Sequence, residues 1–305
     1  MQEQTSNKGI AKKRRKKGGK AQWKGYLFVA PLFVLLTVFT IYPMFFSLGI
    51  SFTDWDFLSG ISGIRFAGLD NYREMFSDVW FRDSLINTIF YTIMYVPVTI
   101  ILSFLVALFL NDKVFGAKVM RLCFYIPNIS SIAAVSILWS VIYSSSGPIH
   151  AVCDIFGVEA PNFLADVHWA LPSIVIMSVW MSLGYCSLIY VAGLQGIPQD
   201  VLESAEIDGA GAWTKMTRIT LPMLFKTTFF LTITQVTNSF MVFGQIQIMT
   251  GGGPIRSTSV LGYYIYQSAF VDYRFGYASA MAVVLFLIIL VFTLVQWKMQ
   301  SKFDY

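Results

Sequence analysis

Long runs of apolar residues without a charged side chain constrain this chain most. Residues 26–51 contain no Asp, Glu, Lys or Arg, and four similar runs lie at about 85–110, 122–143, 169–193 and 275–297. The run at 221–249 contains only Lys226, near its start, where a long side chain can reach the interface. Because about 20 helical residues cross a hydrocarbon core, these runs predict six membrane-spanning helices and an all-α membrane protein.

The overall composition agrees with this assignment. Hydrophobic residues make up 56% of the 305 residues and charged residues 13%, whereas a soluble protein carries about 25% charged residues. The three cysteines are far apart and odd in number, so they predict neither a disulfide framework nor a metal site.

Lys and Arg are distributed unevenly between the two sides of the predicted membrane. If the N-terminus is cytoplasmic, the inner segments hold 17 of the 22 basic residues and the outer connections hold 5. Basic residues accumulate on the cytoplasmic side, so both termini are predicted there. The resulting organisation is a basic cytoplasmic arm at 1–25, a transmembrane domain at 26–298 and a cytoplasmic tail at 299–305. The arm is expected to meet anionic lipid and not nucleic acid.

A polar segment at 195–220 separates the fourth and fifth runs and has helix signals of its own. Pro198 stands where a helix begins, and Ala205 belongs to an apolar face with helical spacing. Asp208-Gly209 predicts a turn, and a second short amphipathic piece begins near Trp213. A small helix–turn–helix at the cytoplasmic face would offer a contact for a partner protein.

Several kinds of chemistry lack their motifs in this sequence. There is no GxxxxGK[ST] phosphate loop, so no nucleotide site is expected. The two histidines, His150 and His168, have no ligand spacing and are expected to be interfacial residues, and no metal site is expected. Proton- or sodium-driven carriers usually place acids or histidine within their spans, whereas no run here contains an acid. These features predict a subunit without enzymatic activity that draws its energy from elsewhere.

Neutral polar residues are concentrated in the fifth run. They fall at spacings of 4, 3, 3 and 1, which places them on one helix face: Thr228, Thr232, Gln235, Asn238 and Ser239. Such a stripe contacts protein or a water-filled path because lipid cannot satisfy it, and helix–helix hydrogen bonding alone is the alternative interpretation. In the fourth run, Trp180 and Tyr185 flank Ser182. Neutral hydrogen-bonding groups beside aromatic rings would fit an uncharged, hydroxyl-rich solute such as a sugar.

The polar segment resembles the EAA signature of ABC-importer permease subunits, which reads E-x-A, three residues, G, nine residues, I-x-L-P. The matching positions are Glu203, Ala205, Gly209, Ile219, Leu221 and Pro222. Ser204 stands where alanine is usual. Downstream, MTGGGP at 249–254, YYIYQSAF at 263–270 and FGYASA at 275–280 are similar to the first permease subunit of carbohydrate importers of the maltose and glycerol-phosphate type.

This resemblance covers about residues 25–300 and implies the transmembrane fold of type I ABC importers, with 195–220 as a coupling loop. The residues expected to couple to the ATPase are Glu203, Ser204, Ala205, Asp208, Gly209 and Trp213. The implied partners are a second homologous permease subunit, two ATPase subunits that bind ATP and magnesium, an extracytoplasmic sugar-binding protein and the lipid bilayer of the bacterial cell membrane.

The resemblance also implies a substrate pathway. The sugar-contacting positions of the maltose-type subunit fall on Ser182, Tyr185, Gln235, Ser239 and Val242, and Asn238 is a candidate to replace the hydrogen bond that the valine cannot make. With the polar stripe, the expected pathway residues are Trp180, Ser182, Tyr185, Thr232, Gln235, Asn238, Ser239 and Val242.

The expected function is therefore that of a permease subunit which couples ATP hydrolysis to alternating access for a sugar or oligosaccharide. A secondary carrier or channel for small polar solutes is one alternative. A membrane-embedded enzyme is the other, and its candidate acids would be Asp54, Asp56, Asp70 and Glu74.

Overall fold

A computed structural model of the chain describes residues 19–111 and 116–300. The basic cluster at 12–17 and the last five residues of the predicted tail lie outside the described residues. The described chain is mainly helical, as the apolar runs predict, and it divides into two compact units, Met1–Gly49 and Ile50–Tyr305.

The first unit contains one apolar helical segment. Helix α1 (Gly19–Leu36) continues through a π-helical turn at Thr37–Ile41 into α2 (Tyr42–Ile50). Within it, the 25 residues Tyr26–Ile50 are long and apolar enough to cross a membrane.

The second unit begins with a short antiparallel strand pair, β1 (Thr53–Asp54) and β2 (Arg65–Phe66), which the sequence did not predict. Its helices follow in chain order: α3 (Asp70–Ser77), α4 (Val79–Asn111), α5 (Ala117–Ile129), α6 (Ile132–Ile142), α7 (Pro148–Ile155), α8 (Ala170–Gln195), α9 (Gln199–Ile207), α10 (Ala212–Lys215), α11 (Leu221–Met223), α12 (Phe225–Phe240), α13 (Gly244–Met249), α14 (Leu261–Phe270) and α15 (Phe275–Gln300).

Four helical segments of the described chain are long and apolar enough to span a membrane, namely Tyr26–Ile50, α4, α8 and Phe275–Lys298. Two bent pairs raise this number to six if each pair is one span: Lys118–Ile129 with Ile132–Ile142, bent by 99°, and Ala212–Met223 with Phe225–Phe240, bent by 61°.

The apolar run at 221–249, predicted as one span, does not form one continuous helix. Helix α12 ends at Phe240, and α13 starts only at Gly244. Gly262 of α14 packs against the intervening segment, where an added Cβ would lie 2.6 Å from the Val242 carbonyl oxygen. The close backbone approach at this break therefore requires glycine.

Helix α4 packs along α8, and small residues at the helix contacts allow close approach. Ser84, Thr88, Thr99 and Ser103 of α4 are fully buried. On α8, a Cβ added to Gly184 would lie 2.0 Å from the carbonyl oxygen of Phe124 in α5. Small residues are typical of helix interfaces in membranes because dispersion and backbone contacts replace the hydrophobic driving force.

The carboxylate of Asp78 joins the starts of α4 and α15 at one end of the bundle. The Tyr264 and Tyr277 hydroxyls each donate to Asp78 Oδ2 at 2.6 Å, and the Trp80 amide donates to Asp78 Oδ1 at 2.8 Å. Burial raises the pKa of Asp78, but these hydrogen bonds outweigh it and the net pKa lies below its usual value. Nearby, Arg274 forms an ion pair with Glu74 at 2.6 Å, which ties the start of α15 to α3.

Candidate functional site

A cavity of about 540 Å³ lies among α4, α8 and the ends of α12 and α13. Its polar lining comprises Tyr91, Tyr95, Asn128, Ser178, Ser182, Asn238 and Gln245. None of the described residues that line the cavity carries a charge. Hydroxyl and amide groups can donate and accept hydrogen bonds without imposing a net field, so the lining suits a neutral polar ligand.

Two helix breaks meet at this cavity. Asn128 and Ile132 flank the bend between α5 and α6, and Met241–Phe243, between α12 and α13, lies on the other side. Within a membrane, non-helical backbone is tolerated where it is buried in protein or lines a water-filled cavity. The breaks therefore present backbone groups as well as side chains to the cavity.

A hydrogen-bonded network fixes the tyrosine wall of the cavity. The Tyr95 hydroxyl donates to Gln235 Oε1 at 2.7 Å and lies 2.6 Å from Ser182 Oγ. The other end of the Gln235 amide donates to Cys186 Sγ at 2.9 Å. The Tyr91 and Tyr95 rings stack with centroids 5.5 Å apart. The network thus holds Tyr95 in one orientation through three helices.

Some of the predicted pathway residues belong to this site. Ser182, Asn238 and Val242 line the cavity. Gln235 is not among the residues described as lining the cavity, and it acts there through its hydrogen bond with Tyr95. Ser239 is buried, with its hydroxyl 2.9 Å from Thr92 Oγ1.

The structure places three predicted pathway residues elsewhere. Trp180 packs edge-on against Trp139 with ring centroids 5.7 Å apart, and it lines a separate small recess with Phe124. Two residues along a helix turn the side chain by about 200°, so Trp180 and Ser182 point in nearly opposite directions. Tyr185 packs against a different core cluster, and the Thr232 hydroxyl donates to the Thr228 carbonyl within its own helix.

Sequence reasoning missed the contribution of α4 and of the first helix break. Tyr91 and Tyr95 continue the spacing of Ser84, Thr88 and Thr99, so the search for polar stripes that found α12 could also have found this face. Asn128 follows Pro127, a residue that commonly ends or bends a helix. Gln245 gave no comparable signal, because its position depends on the break after α12.

A second candidate site is the short helix α9 in the polar segment at 195–220. Its C-terminus is closed by two hydrogen bonds, from the Gly209 amide to the Glu206 carbonyl at 3.0 Å and from the Ala210 amide to the Ala205 carbonyl at 2.9 Å. Gly209 adopts φ +78°, the left-handed conformation that this Schellman cap requires. Asp208 is the cap residue. The EAA-type glycine therefore has a definite backbone role.

The side chains around this helix divide into internal and exposed groups. Ala205 is 9% exposed, so it packs inside the subunit, and its expected contact with the ATPase stays a prediction. The Glu203 carboxylate accepts from Gln199 Nε2 at 2.7 Å, and the Ser204 hydroxyl donates to the Asp200 carbonyl at 2.7 Å.

Two large apolar side chains of this segment point outward. Ile207 is 87% exposed and Trp213 is 79% exposed. The Lys215 ammonium donates to the Glu206 carboxylate and links α10 to α9. The segment is thus a braced helix pair with an apolar contact surface.

Residues 62–303 match the protein family described as binding-protein-dependent transport system inner membrane component. This chain belongs to that family. The match confirms the resemblance to ABC-importer permeases that the spacing around Gly209 indicates. The chain is therefore a membrane permease component of a binding-protein-dependent transport system.

Individual relatives cover nearly the whole permease. This chain is 34% identical over 302 residues to the probable ABC transporter permease protein YesP of Bacillus subtilis, and the match covers 97% of this chain and 96% of the relative. It is 32% identical over 280 residues to the lactose transport system permease protein LacF of Rhizobium radiobacter, covering 90% and 92%.

A solved structure has the same fold. A chain in the crystal structure of a bacterial alginate ABC transporter, in complex with its alginate pentasaccharide-bound periplasmic protein, superposes on this permease with a TM-score of 0.81. The two are 24% identical, and the match covers 93% of this chain and 96% of the other. At this identity the likeness establishes the fold.

Proposed function

We propose that this permease imports a sugar or oligosaccharide through the bacterial cell membrane, with energy from partner ATPase subunits. The observation that carries the proposal is the uncharged cavity, in which hydroxyl and amide groups surround the stacked rings of Tyr91 and Tyr95. Sugars present hydroxyl groups at their edges and apolar C–H faces, and both match this lining. The names of relatives such as LacF agree with this substrate class.

In this proposal each bent helix pair is one span, so the chain crosses the membrane six times with both termini in the cytoplasm. The excess of Lys and Arg on the proposed inner side supports this orientation. A second homologous permease subunit completes the pathway, and an extracytoplasmic binding protein delivers the sugar.

Helix α9 and its neighbour α10 couple the permease to the ATPase. Ile207 and Trp213 provide exposed apolar surface for an ATPase cleft. The Schellman cap and the Lys215–Glu206 ion pair keep the segment rigid, so that movement of the ATPase pulls on α8 and α12 instead of bending the loop. ATP and magnesium bind to the ATPase subunits, and the permease itself performs no chemistry.

Alternating access arises from rocking of the two permease subunits about the cavity. Helix breaks concentrate the φ/ψ changes of such movements at a few residues. The breaks at Ser130–Ser131 and Met241–Phe243 are suited to this role because both border the cavity.

The proposal is tested by isolating the tagged permease in mild detergent, with mass spectrometry of the co-purifying proteins. The complex is then reconstituted in liposomes with the binding protein, and uptake of lactose, maltotriose and raffinose is measured with and without ATP. Recovery of a second permease and an ATPase, with ATP-dependent uptake of a sugar, is expected. Transport by the chain alone without ATP would instead indicate a carrier or channel.

A further inference from the structure

A second recess of about 550 Å³ lies where α4 and α8 begin, beside the loop that joins α13 to α14. No residue described as lining it also lines the cavity assigned above. In the proposed orientation it opens to the outer side. The two sites share helix α4, on which Phe90 borders the recess and Tyr91 borders the cavity.

The recess carries charged groups that keep hydrogen-bonding capacity. Asp83 lies 3.5 Å from the Arg256 guanidinium and 3.5 Å from that of Arg82. Both contacts exceed the usual 2.7–3.2 Å of an N–H···O hydrogen bond. The side chains of Asp83 and Arg256 are 29% and 31% exposed, so each can still reach a ligand.

Other contacts hold Arg256 in place. The Arg256 guanidinium lies over the Trp80 ring, 4.8 Å from its centroid. The Asn87 amide donates to the carbonyls of Arg256 at 2.8 Å and of Ser259 at 2.9 Å. A guanidinium fixed in this way loses little side-chain entropy when a ligand binds.

The loop at the recess holds two unusual features. Ile255 and Arg256 have φ of 45° and 67°, a left-handed conformation that is rare for residues other than glycine and most strained for a β-branched one. Ser257 is one of the residues that line the recess, and its hydroxyl oxygen is buried without a hydrogen-bond partner in the described chain. Backbone strain and an unpartnered buried hydroxyl tend to persist where they serve a function.

We propose that this recess is an outer sugar subsite, which binds one neutral unit of the incoming sugar before it enters the cavity. Asp83 accepts hydrogen bonds from adjacent sugar hydroxyls, and Arg256 donates to hydroxyl oxygens. Phe90, 57% exposed, offers an apolar face to the sugar C–H groups. Arg82 is not among the residues described as lining the recess, and the opposite charges of the lining residues Asp83 and Arg256 cancel, so a neutral sugar is favoured over an acidic one. This inference rests on the proposed import of sugars and adds a second site to it.

The subsite is tested by protection of a cysteine from labelling. His168 lines the recess and is exposed, so His168→Cys is introduced after Cys123 and Cys153 are changed to serine, with the buried Cys186 retained. The matched control is Val158→Cys, which is 57% exposed and is not among the residues described as lining the recess. The assembled importer is placed in nanodiscs, and the maleimide labelling rate is measured with lactose, maltotriose or raffinose and with trigalacturonic acid.

A neutral sugar that the complex imports is expected to slow labelling at His168→Cys at least fivefold and to leave Val158→Cys unchanged. Adding Asp83→Asn is expected to raise about tenfold the sugar concentration that gives half-maximal protection. Adding Asn238→Ala, which alters the cavity instead, is expected to leave protection intact.

Two results would overturn the subsite while the proposed function stands: import of a neutral sugar without protection, or protection that disappears with Asn238→Ala and survives Asp83→Asn. Protection by trigalacturonic acid alone would refute the proposal that the recess binds a neutral sugar. Absence of both ATP-driven uptake and protection across the panel would refute the proposed function together with the subsite.

Discussion

Gly209 is the residue at which backbone geometry and the proposed coupling role can be separated. Its φ of +78° and the hydrogen bond from its amide to the Glu206 carbonyl close the C-terminus of α9. A Cβ added there would have no atom within 4 Å, so Gly209→Ala changes backbone preference without creating a clash. Gly209→Pro, in contrast, fixes φ near −65° and removes the amide donor.

The magnitude follows from the two hydrogen bonds of the cap, which stabilise it by roughly 2 kcal/mol at about 1 kcal/mol each. A left-handed alanine costs about 1–2 kcal/mol, so the capped and frayed forms become nearly equal in population at the upper end of this range. Proline has φ fixed near −65° and no amide donor, so Gly209→Pro cannot form the left-handed cap and loses more of the capped form than alanine does. If ATPase binding requires the capped form, uptake falls by up to about twofold for Gly209→Ala and by about fivefold or more for Gly209→Pro.

The assay is ATP-dependent sugar uptake by proteoliposomes, normalised to the amount of permease, together with the amount of ATPase that co-purifies. Gly157 is a matched control because it closes α7 with the same motif and has φ +66°. The Gly157 amide donates to the Asp154 carbonyl at 3.1 Å, and the Val158 amide donates to the Cys153 carbonyl at 3.0 Å. A Cβ added to Gly157 also meets no atom within 4 Å. Gly157→Pro should therefore damage a helix end equally without reducing uptake.

Normal uptake by Gly209→Pro would refute the coupling role of α9. An equal loss of uptake in Gly157→Pro would show that the effect comes from general damage to a helix end and not from coupling.

Three further predictions concern the cavity, the helix packing and the outer end of the bundle. Gln235→Ala should raise the sugar concentration for half-maximal uptake about fivefold, because Tyr95 loses a hydrogen bond of about 1 kcal/mol. Tyr185→Phe should leave this concentration unchanged, because Tyr185 is not among the residues described as lining the cavity. Gly184→Ala should lower the yield of folded permease in size-exclusion chromatography, because its Cβ would lie 2.0 Å from the Phe124 carbonyl oxygen and overpacking costs about 1–3 kcal/mol, while Gly211→Ala meets no atom and should fold normally. Asp78→Asn should lower the thermal midpoint of the permease at pH 7 by removing a charged acceptor worth about 1.5–3 kcal/mol. Since the folded pKa of Asp78 is lowered, this stabilisation is complete above the unfolded pKa of about 4 and is lost as the pH falls through the folded value, so wild type and variant should converge in acid.

The sequence by itself determined the class of protein. Charge-free runs such as 169–193 predict membrane helices because an unpaired charge is costly in hydrocarbon. The spacing from Glu203 to Pro222 indicated the permease family, because the loop pattern can be read without knowing how helices pack. The turn at Gly209 was also readable, since a left-handed cap is a local property of the backbone.

Tertiary structure decided which polar residues meet. Tyr95 on α4 and Gln235 on α12 are 140 positions apart, and their hydrogen bond depends on how both helices pack against α8. The same packing turns Trp180 away from the cavity and buries Ala205 inside the subunit. The break after Phe240 depends on a close approach by Gly262 from another helix. Local patterns determine which segments are helical, whereas the rotation and interruption of each helix depend on distant contacts, and those contacts define the cavity.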